Sequence, residues 1–187
     1  AVPLNEDQIA IARERLSLGL NIKDMRWIEK GSPFIEGVAC LKEVNTAILG
    51  VDSEISPQVV ACSNNYAEMQ RIHISSGRFI APQDRHRKNL VCVLGNDVAQ
   101  KFGDSGIPGN YIRIDSHLFK VVGVLSRVER QTNKHATVSV RNYNEMVFIP
   151  LETAKCLEQA NTNSPKKPPM AHQLSEIVVQ VGRTRDV

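Results

Sequence analysis

The sequence predicts an α+β fold in which short strands and short helices alternate along 187 residues. Three observations predict it. Apolar runs are strand-sized and rich in β-branched residues, as at 90–94. Polar capping residues precede amphipathic stretches that suit helices. A hydrophobic fraction of 42% beside 23% charged residues is sufficient for a packed core, and the length suits one large domain or two small subdomains.

The charge balance argues against nucleic-acid binding. The chain has 23 basic and 20 acidic residues, a net charge of +3, and its basic residues are scattered rather than gathered into a stripe that could neutralise phosphates. No apolar run approaches the ~18 residues that a membrane-spanning helix needs. Because Ala1 leads directly into polar residues without a signal sequence, we expect the chain to be a soluble part of a longer protein.

The first third of the chain is predicted to contain one helix and then extended segments. Asn5 can cap a helix that Gly19 ends, and a strand-like stretch follows at 21–29. Residues 35–49 are extended in character, since β-branched residues are spread through them. A turn at 50–57 and a strand at 58–62 follow.

The middle of the chain is predicted to contain shorter elements. Asn64 can cap a short helix with Tyr66 and Met69 on its inner side, and the stretch 81–88 is predicted to be a solvated basic loop. The remaining predicted elements are a strand at 90–94, a helix at 97–102, two strands joined by a hairpin turn at Asp115 and Ser116, and a mobile loop at 126–144.

The last part is predicted to be a strand, a helix and a second strand. Pro150 is placed in the first turn of the helix, where its missing amide costs nothing. A polar, proline-rich loop at 161–173 leads into the final strand.

Cysteine and histidine spacing gives no local motif. Without a CxxC pair, a zinc ribbon or a thioredoxin-like site has no support. Four cysteines permit two disulfides in three pairings, although Cys92 lies inside an apolar run and is predicted to be a small buried side chain. The cysteines are Cys40, Cys62, Cys92 and Cys156, and the histidines, too widely spaced for a metal motif, are His73, His86, His117, His135 and His172.

The stretch 89–114 has the outline of a nucleotide-binding unit, with a strand, a glycine and a helix. A dinucleotide fingerprint needs three glycines between strand and helix, and only Gly95 stands there. Asp97 would repel an anion at the point where helix amides should attract one. The later glycines are interpreted as chain reversals, so no phosphate site or cofactor is predicted.

Three motifs in a fixed order resemble the periplasmic core domain of MacB-type ABC-transporter permeases. "ISSGRFIAPQD" (74–84) is similar to that family's l-x-x-GR-x-f-x-x-x-D signature. The run 90–126 resembles its strand, helix, glycine turn and f-x-V-V-G-V-L strand, and 146–154 resembles its I-P-L-x-T-A element. The residues of this chain that carry the resemblance, interpreted as architectural, are Gly77, Arg78, Phe79, Gly95, Gly109, Gly123 and Pro150.

The resemblance implies a fold and a role. The fold would have a porter-like α/β subdomain at 1–74 and 145–187, with an inserted β-rich subdomain at 75–144. The role would be mechanical, for an extracytoplasmic domain of an inner-membrane permease that transmits ATP-driven movement in order to export or release a substrate. The implied partners are a second permease subunit, a cytoplasmic ATPase and a periplasmic adaptor or chaperone, and no catalytic, cofactor or metal residue is implied.

Two other classes of function remain open. A stand-alone periplasmic enzyme could use Cys62 or a histidine cluster, and it would need convergent titratable residues in a concave site. A ligand-binding module would need an apolar pocket lined by aromatic residues, and with 5% aromatics the sequence disfavours it. The transported substrate, and the choice between efflux and lipoprotein release, are not specified by these residues.

Overall fold

The computed structural model describes residues 20–46, 48–49, 57–128, 141–160 and 173–182. For residues 49, 155, 156, 158–160 and 173 it describes the backbone alone. The predicted helix between Asn5 and Gly19, the turn before residue 57 and most of the two long loops therefore lie outside the described residues.

Strands predominate in the described part of the chain. They are β1 Leu20–Asn21, β2 Ile35–Val44, β3 Ile48–Leu49, β4 Gln58–Cys62, β5 Ile74–Gly77, β6 Val91–Leu94, β7 Tyr111–Ile114, β8 His117–Leu125, β9 Met146–Pro150, β10 Gln173–Leu174 and β11 Glu176–Val181. The α-helices are α1 Ile22–Gly31, α2 Tyr66–Met69, α3 Pro82–His86, α4 Asn96–Phe102 and α5 Leu151–Ala160. None of the described helices is both long and apolar enough to cross a bilayer.

Most of the described strands form one mixed sheet. Its order is β11-β2-β4-β9-β6-β8-β7-β3, and β5 pairs with the C-terminal part of β8. The pairs β4–β9 and β6–β8 are parallel, whereas the other pairs are antiparallel. This mixed sheet with a few helices confirms the predicted α+β class.

The sheet curls strongly. Strands β2 and β3 lie six places apart in the strand order, which would be about 29 Å in a flat sheet at ~4.8 Å per strand. Only a few residues connect Val44 to Ile48, and they reach roughly 14 Å at most. The two ends of the sheet therefore approach each other, and one hydrophobic cluster contains both Val44 and Ile114.

Alternation along the strands sends side chains into two cores, one on each face of the sheet. The inner cluster includes Cys92 and Leu94 of β6 and packs against α1, α4 and α5. The outer cluster includes Val93 of the same strand and is centred on Phe148, which contacts the aromatic rings of Tyr66, Phe79 and Tyr143. Both clusters draw residues from both halves of the sheet.

Two predicted elements were wrong. The stretch predicted as a strand at 21–29 is helix α1, which begins with a capping box: Asn21 accepts from the amide of Asp24, and Asp24 accepts from the amide of Asn21. The predicted solvated loop at 81–88 contains helix α3, and its Asp84 is buried. The cause in both cases is an acidic residue at the third helical position, where it binds a free amide.

Smaller corrections concern the ends of elements. The residue that precedes α2 is Asn65, without a side-chain cap, and not Asn64. Pro150 is the last residue of β9, so α5 begins one residue later. The predicted strand at 58–62 and the hairpin joining β7 to β8 are confirmed, and the strand predicted at 90–94 begins one residue later, at Val91.

Candidate functional site

The motif at 74–84 begins with β5, whose backbone approaches that of β8 closely. Gly77, with φ of +76°, pairs with Gly123 of β8, and the amide of Arg78 donates to the carbonyl oxygen of Val122 at 2.9 Å. A Cβ atom on Gly77 would collide with the carbonyl oxygen of Val122, and one on Gly123 with that of Arg78. Both glycines are therefore required by backbone contact, and they fix where Arg78 points.

Arg78 and Asp84 form a bidentate ion pair just beyond β5. Nη1 of Arg78 lies 2.6 Å from Oδ2 of Asp84, and Nη2 lies 3.1 Å from Oδ1. The Asp84 side chain is 2% exposed, and it also accepts from the amide of Ala81 at 2.9 Å and from Nδ2 of Asn89 at 3.2 Å. Burial alone would raise the pKa of Asp84, but these hydrogen bonds outweigh it and hold the pKa below its usual value.

Helix α3 and the residues that follow it connect this ion pair to helix α5. Nε of Arg85 donates to Oε1 of Glu152, and Oγ1 of Thr153 donates to the carbonyl oxygen of Asn89 at 3.3 Å. Glu152 and Thr153 lie in the first turn of α5. We call the set Gly77, Arg78, Asp84, Arg85, Asn89, Gly123, Glu152 and Thr153 the motif junction. It ties β5 and β8 to the helix that follows β9.

Phe79 fills the outer core beside the motif junction. Its ring centroid lies 5.8 Å from that of Phe148, tilted by 59°, which is a favourable aromatic geometry. The chain after Arg78 thus packs the side chain of Phe79 against the outer core, while the guanidinium of Arg78 reaches Asp84.

Gly95 and Gly109 serve different needs. Gly95 donates its amide to the carbonyl oxygen of Met146 at 2.8 Å, and a Cβ there would collide with the carbonyl oxygens of Tyr143 and Asn144. A Cβ atom on Gly109 would meet nothing within 4 Å, but the φ of +107° at this residue favours glycine. Gly95 thus closes the seam between β6 and β9, whereas Gly109 reverses the chain before β7.

Two groups in the segment before β9 had little sequence signal. Asn144 is buried, and its side chain accepts from the amide of Val128 at 2.9 Å and donates to the carbonyl oxygen of Val128 at 2.8 Å. Arg141 pairs with Glu43 at 2.7 Å and with Glu176 at 3.0 Å, which links β2 to β11. Single-sequence patterns do not identify partners so far apart in the chain. The only sequence signals were an asparagine and an arginine inside a polar stretch.

The described thiols are poorly suited to nucleophilic chemistry. Cys40, Cys62 and Cys92 are free and buried, so the arrangement with two disulfides is not formed. Burial raises the pKa of Cys62 well above its usual value, and it raises the pKa of Cys40 to about 11. Cys62 ends a strand, and α2 begins only at Tyr66, so it does not lie at a helix N-terminus.

The described histidines do not converge. His73 and His86 are exposed and His117 is half-buried, while His135 and His172 lie outside the described residues. Within the described ranges, no three His, Cys, Asp or Glu side chains are grouped as metal ligands. What these ranges do bring together is the motif junction, whose chemistry is ionic and structural.

Comparison with known families identifies the fold and the lineage. The family model described as the MacB-like periplasmic core domain matches residues 5–187. The chain belongs to this family. It is therefore a periplasmic or extracytoplasmic type of domain, as the sequence motifs predicted.

Two curated relatives are macrolide export ATP-binding/permease proteins MacB. The relative from Bdellovibrio bacteriovorus is 24% identical over 136 residues, covering 72% of this chain and 20% of that protein. The relative from Wolinella succinogenes is 24% identical over 103 residues, covering 54% of this chain and 15% of that protein. The chain thus spans about a fifth or less of the length of these relatives.

Solved structures share the fold. The periplasmic region of MacB from Actinobacillus actinomycetemcomitans matches with a TM-score of 0.65 at 18% identity, covering 95% of this chain and 72% of that chain. The extracellular domain of the noncanonic ABC-type transporter YknZ from Gram-positive bacteria matches with a TM-score of 0.62 at 12% identity, covering 92% and 78%. A domain of a putative permease protein from Porphyromonas gingivalis matches with a TM-score of 0.55 at 12% identity, covering 90% and 63%.

Proposed function

We propose that the chain is the extracytoplasmic domain of an ABC-transporter permease, and that it transmits ATP-driven movement of membrane helices to a substrate outside the membrane. The observation that carries the proposal is the family match over residues 5–187. Energy would come from a cytoplasmic ATPase, a part that the curated relatives carry according to their names. Further partners would be a second permease subunit and a periplasmic adaptor or chaperone. The substrate would be exported or released.

The motif junction suits a domain that transmits force. Force passes best through parts that have one well-packed arrangement, because close-packed interiors transmit strain. Arg78 is held to Asp84 at two points, and Arg85 and Asn89 extend that contact to α5. In this proposal the seven motif residues have architectural roles, with no part in catalysis, in cofactor binding or in metal binding.

We further propose that the two predicted subdomains act as one lever. In this division, strands β11, β2, β4 and β9 belong to the porter-like part, and β6, β8 and β7 belong to the inserted part. The ladder between β6 and β9 supports their rigid connection, as does the hydrogen bond from the amide of Gly95 to the carbonyl oxygen of Met146. A movement applied to one part would then displace the other without bending the seam.

The proposal is tested in the full-length protein by inserting flexible linkers where the domain joins the rest of the chain. A flexible Gly/Ser linker of about 12 residues, with an end-to-end distance of roughly 19 Å, is inserted before Ala1 and after Val187. A lever needs taut connections, so we expect ATP hydrolysis to continue while export or release is lost. A ligand-binding module or an enzyme would tolerate the same linkers.

The matched control inserts one linker of the same length between Asp115 and Ser116, in the turn of the β7–β8 hairpin. Ser116 is exposed, and both connections of the domain stay taut. We expect the control to keep transport within about twofold of the unmodified protein, since long insertions in surface turns cost little. Normal transport with both terminal linkers in place would contradict the mechanical role.

A further inference from the structure

Helix α1 presents an exposed face that combines positive charge with the protein's single tryptophan. Lys23, Arg26, Trp27 and Lys30 are all exposed, and the side chain of Trp27 is 80% accessible. At ~100° per residue these four positions occupy an arc of about 100°. Met25 lies on the far side of the helix and Ile22 lies about 40° beyond Arg26, and both pack against the inner core.

The acidic residues of α1 do not neutralise this arc. Asp24 is partly buried, and its carboxylate accepts from the amide of Asn21 at 2.8 Å in the capping box. Glu29 lies outside the arc, about 60° beyond Arg26. The exposed face of α1 is thus a patch of three cations around an indole ring, which we call the α1 face.

The α1 face lies at the end of the sheet where the C-terminal strand finishes. The chain from α1 reaches Phe34 three residues after Gly31, and the carbonyl oxygen of Phe34 accepts from the amide of Gly182 at 2.9 Å. Val181 pairs with Ile35. Phe34 and Val181 are 56% and 62% exposed, so apolar surface adjoins this end of the helix.

We infer that the α1 face rests on the surface of a bilayer and binds anionic phospholipid headgroups. Tryptophan and basic side chains are the pair of residue types that settle at the boundary between water and lipid, because the ring is amphipathic and the long side chains carry charge to the headgroups. The three cations would attract the negative charge of anionic phospholipid headgroups. The inference rests on the proposed function for one point only, that the domain lies beside a membrane.

Bilayer contact accounts for the α1 face better than an acidic protein partner does. An acidic surface would explain the lysines and the arginine, but it would leave the ring of Trp27 without an apolar environment. The interface of a bilayer offers negative charge to the cations and an apolar environment to the ring of Trp27. This contact would also give the lever of the proposed function a support on the membrane surface.

The test uses the emission of Trp27, since it is the only tryptophan in the chain. The 187-residue chain is titrated with vesicles of phosphatidylglycerol or phosphatidylcholine at low and at high salt. We expect the emission maximum to move to shorter wavelength on phosphatidylglycerol alone, the shift to weaken in salt, and lipids brominated near the headgroup to quench the emission.

Two triple variants assign the binding to the α1 face. The variant Lys23→Gln, Arg26→Gln, Lys30→Gln and the control Arg87→Gln, Lys120→Gln, Arg127→Gln each remove three exposed cations, which takes the formal charge from +3 to 0. At about fivefold per charge the first should lower the vesicle partition coefficient by roughly 100-fold, and the second by less than about fivefold. Circular dichroism checks that both variants are folded.

Three outcomes would overturn the inference. These are an unshifted emission on phosphatidylglycerol, equal losses in the two triple variants, or a blue shift with poly-glutamate and none with vesicles, which would make the α1 face a protein-docking surface. The vesicle titration involves neither ATP nor transport, so its failure leaves the proposed function untouched. Likewise, if the linker experiment contradicts the proposed function, the result of the vesicle titration still stands by itself.

Discussion

At the scale of single residues, Asp84 is the centre of the motif junction. A carboxylate offers about four acceptor sites, and Asp84 fills them with two contacts from Arg78, one from the amide of Ala81 and one from Asn89. A buried charge is tolerated only when it is paired and hydrogen-bonded in this way. The sequence motif at 74–84 contains the two ends of this arrangement, an arginine and an aspartate six residues apart.

The replacement Asp84→Asn tests the value of this charge. It keeps the size of the side chain but loses the negative charge, and it offers an amide donor where two acceptors are needed. We expect a loss of about 2 kcal/mol in the free energy of unfolding. A larger loss is not expected, since the Arg78 side chain is 46% exposed and water can solvate it. Urea unfolding at neutral pH measures the change.

Asp84 also predicts a pH dependence of stability. A carboxyl group whose pKa is lower in the folded than in the unfolded chain contributes stability that is complete above the unfolded pKa and disappears as pH falls through the folded pKa. The pKa of Asp84 is lowered from 3.8. Stability should therefore fall below pH 3.8 in the natural chain and fall less in Asp84→Asn, as measured by urea unfolding over an acid series.

The control for both measurements is Asp104→Asn. Asp104 is an exposed carboxylate, so its replacement removes the same charge without breaking a buried pair. We expect a change within about 0.5 kcal/mol at neutral pH. If Asp84→Asn and Asp104→Asn gave the same acid profile, the pairing with Arg78 would not be the source of the effect.

Gly123 permits a second test at this scale. In Gly123→Ala the new methyl group would meet the carbonyl oxygen of Arg78, and backbone cannot move aside as a flexible side chain can. We expect a loss of about 2 to 3 kcal/mol. Gly31→Ala is the matched control because a Cβ there meets nothing within 4 Å, and its change should stay within about 0.5 kcal/mol. The midpoints of urea unfolding give both values.

At the scale of elements, features that depend on neighbouring residues could be predicted from the sequence, whereas contacts between distant residues could not. The strands at 58–62 and 91–94 were predictable from β-branched runs, and the β7–β8 hairpin from its polar turn. Helix α1 was missed because Ile22 and Trp27 suggested a strand, although the capping pair Asn21 and Asp24 was the available helix signal. The glycines and Arg78 could be named from the motif. The partners Asn89, Asn144 and Thr153 could not, since they are brought in by tertiary packing.

The contact between α3 and α5 predicts a measurable coupling energy. Arg85 and Glu152 are 67 residues apart in sequence and lie in different helices, and their side chains are 37% and 24% exposed. A pair this accessible is worth about 0.5 to 1 kcal/mol. A double-mutant cycle of Arg85→Gln and Glu152→Gln should return that coupling by urea unfolding, and it should shrink at high salt. Arg87→Gln combined with Glu152→Gln is the control, with an expected coupling near zero.

At the scale of the whole molecule, the two cores bind the predicted subdomains together. The inner cluster joins Cys40 and Val59 of the first part to Ile112 and Phe119 of the second, and the outer cluster joins Val60 to Leu125. The resemblance placed the subdomain boundaries near residues 74 and 145, but no sequence pattern could say how the parts pack. That depends on the curl of the sheet and on the seam between β6 and β9.

This shared core predicts that the two parts unfold together. Hydrogen exchange followed by mass spectrometry would report separately on β4, in the first part, and on β8, in the second. Gly123→Ala lies in β8, yet we expect it to lower the protection of both strands by the same free energy, about 2 to 3 kcal/mol, because their slowest amides exchange through one common unfolding event. If the parts were independent, β8 would lose protection while β4 kept it. In that case a stiff core could not pass force from one part to the other, and the proposed lever would have to bend at the seam between β6 and β9.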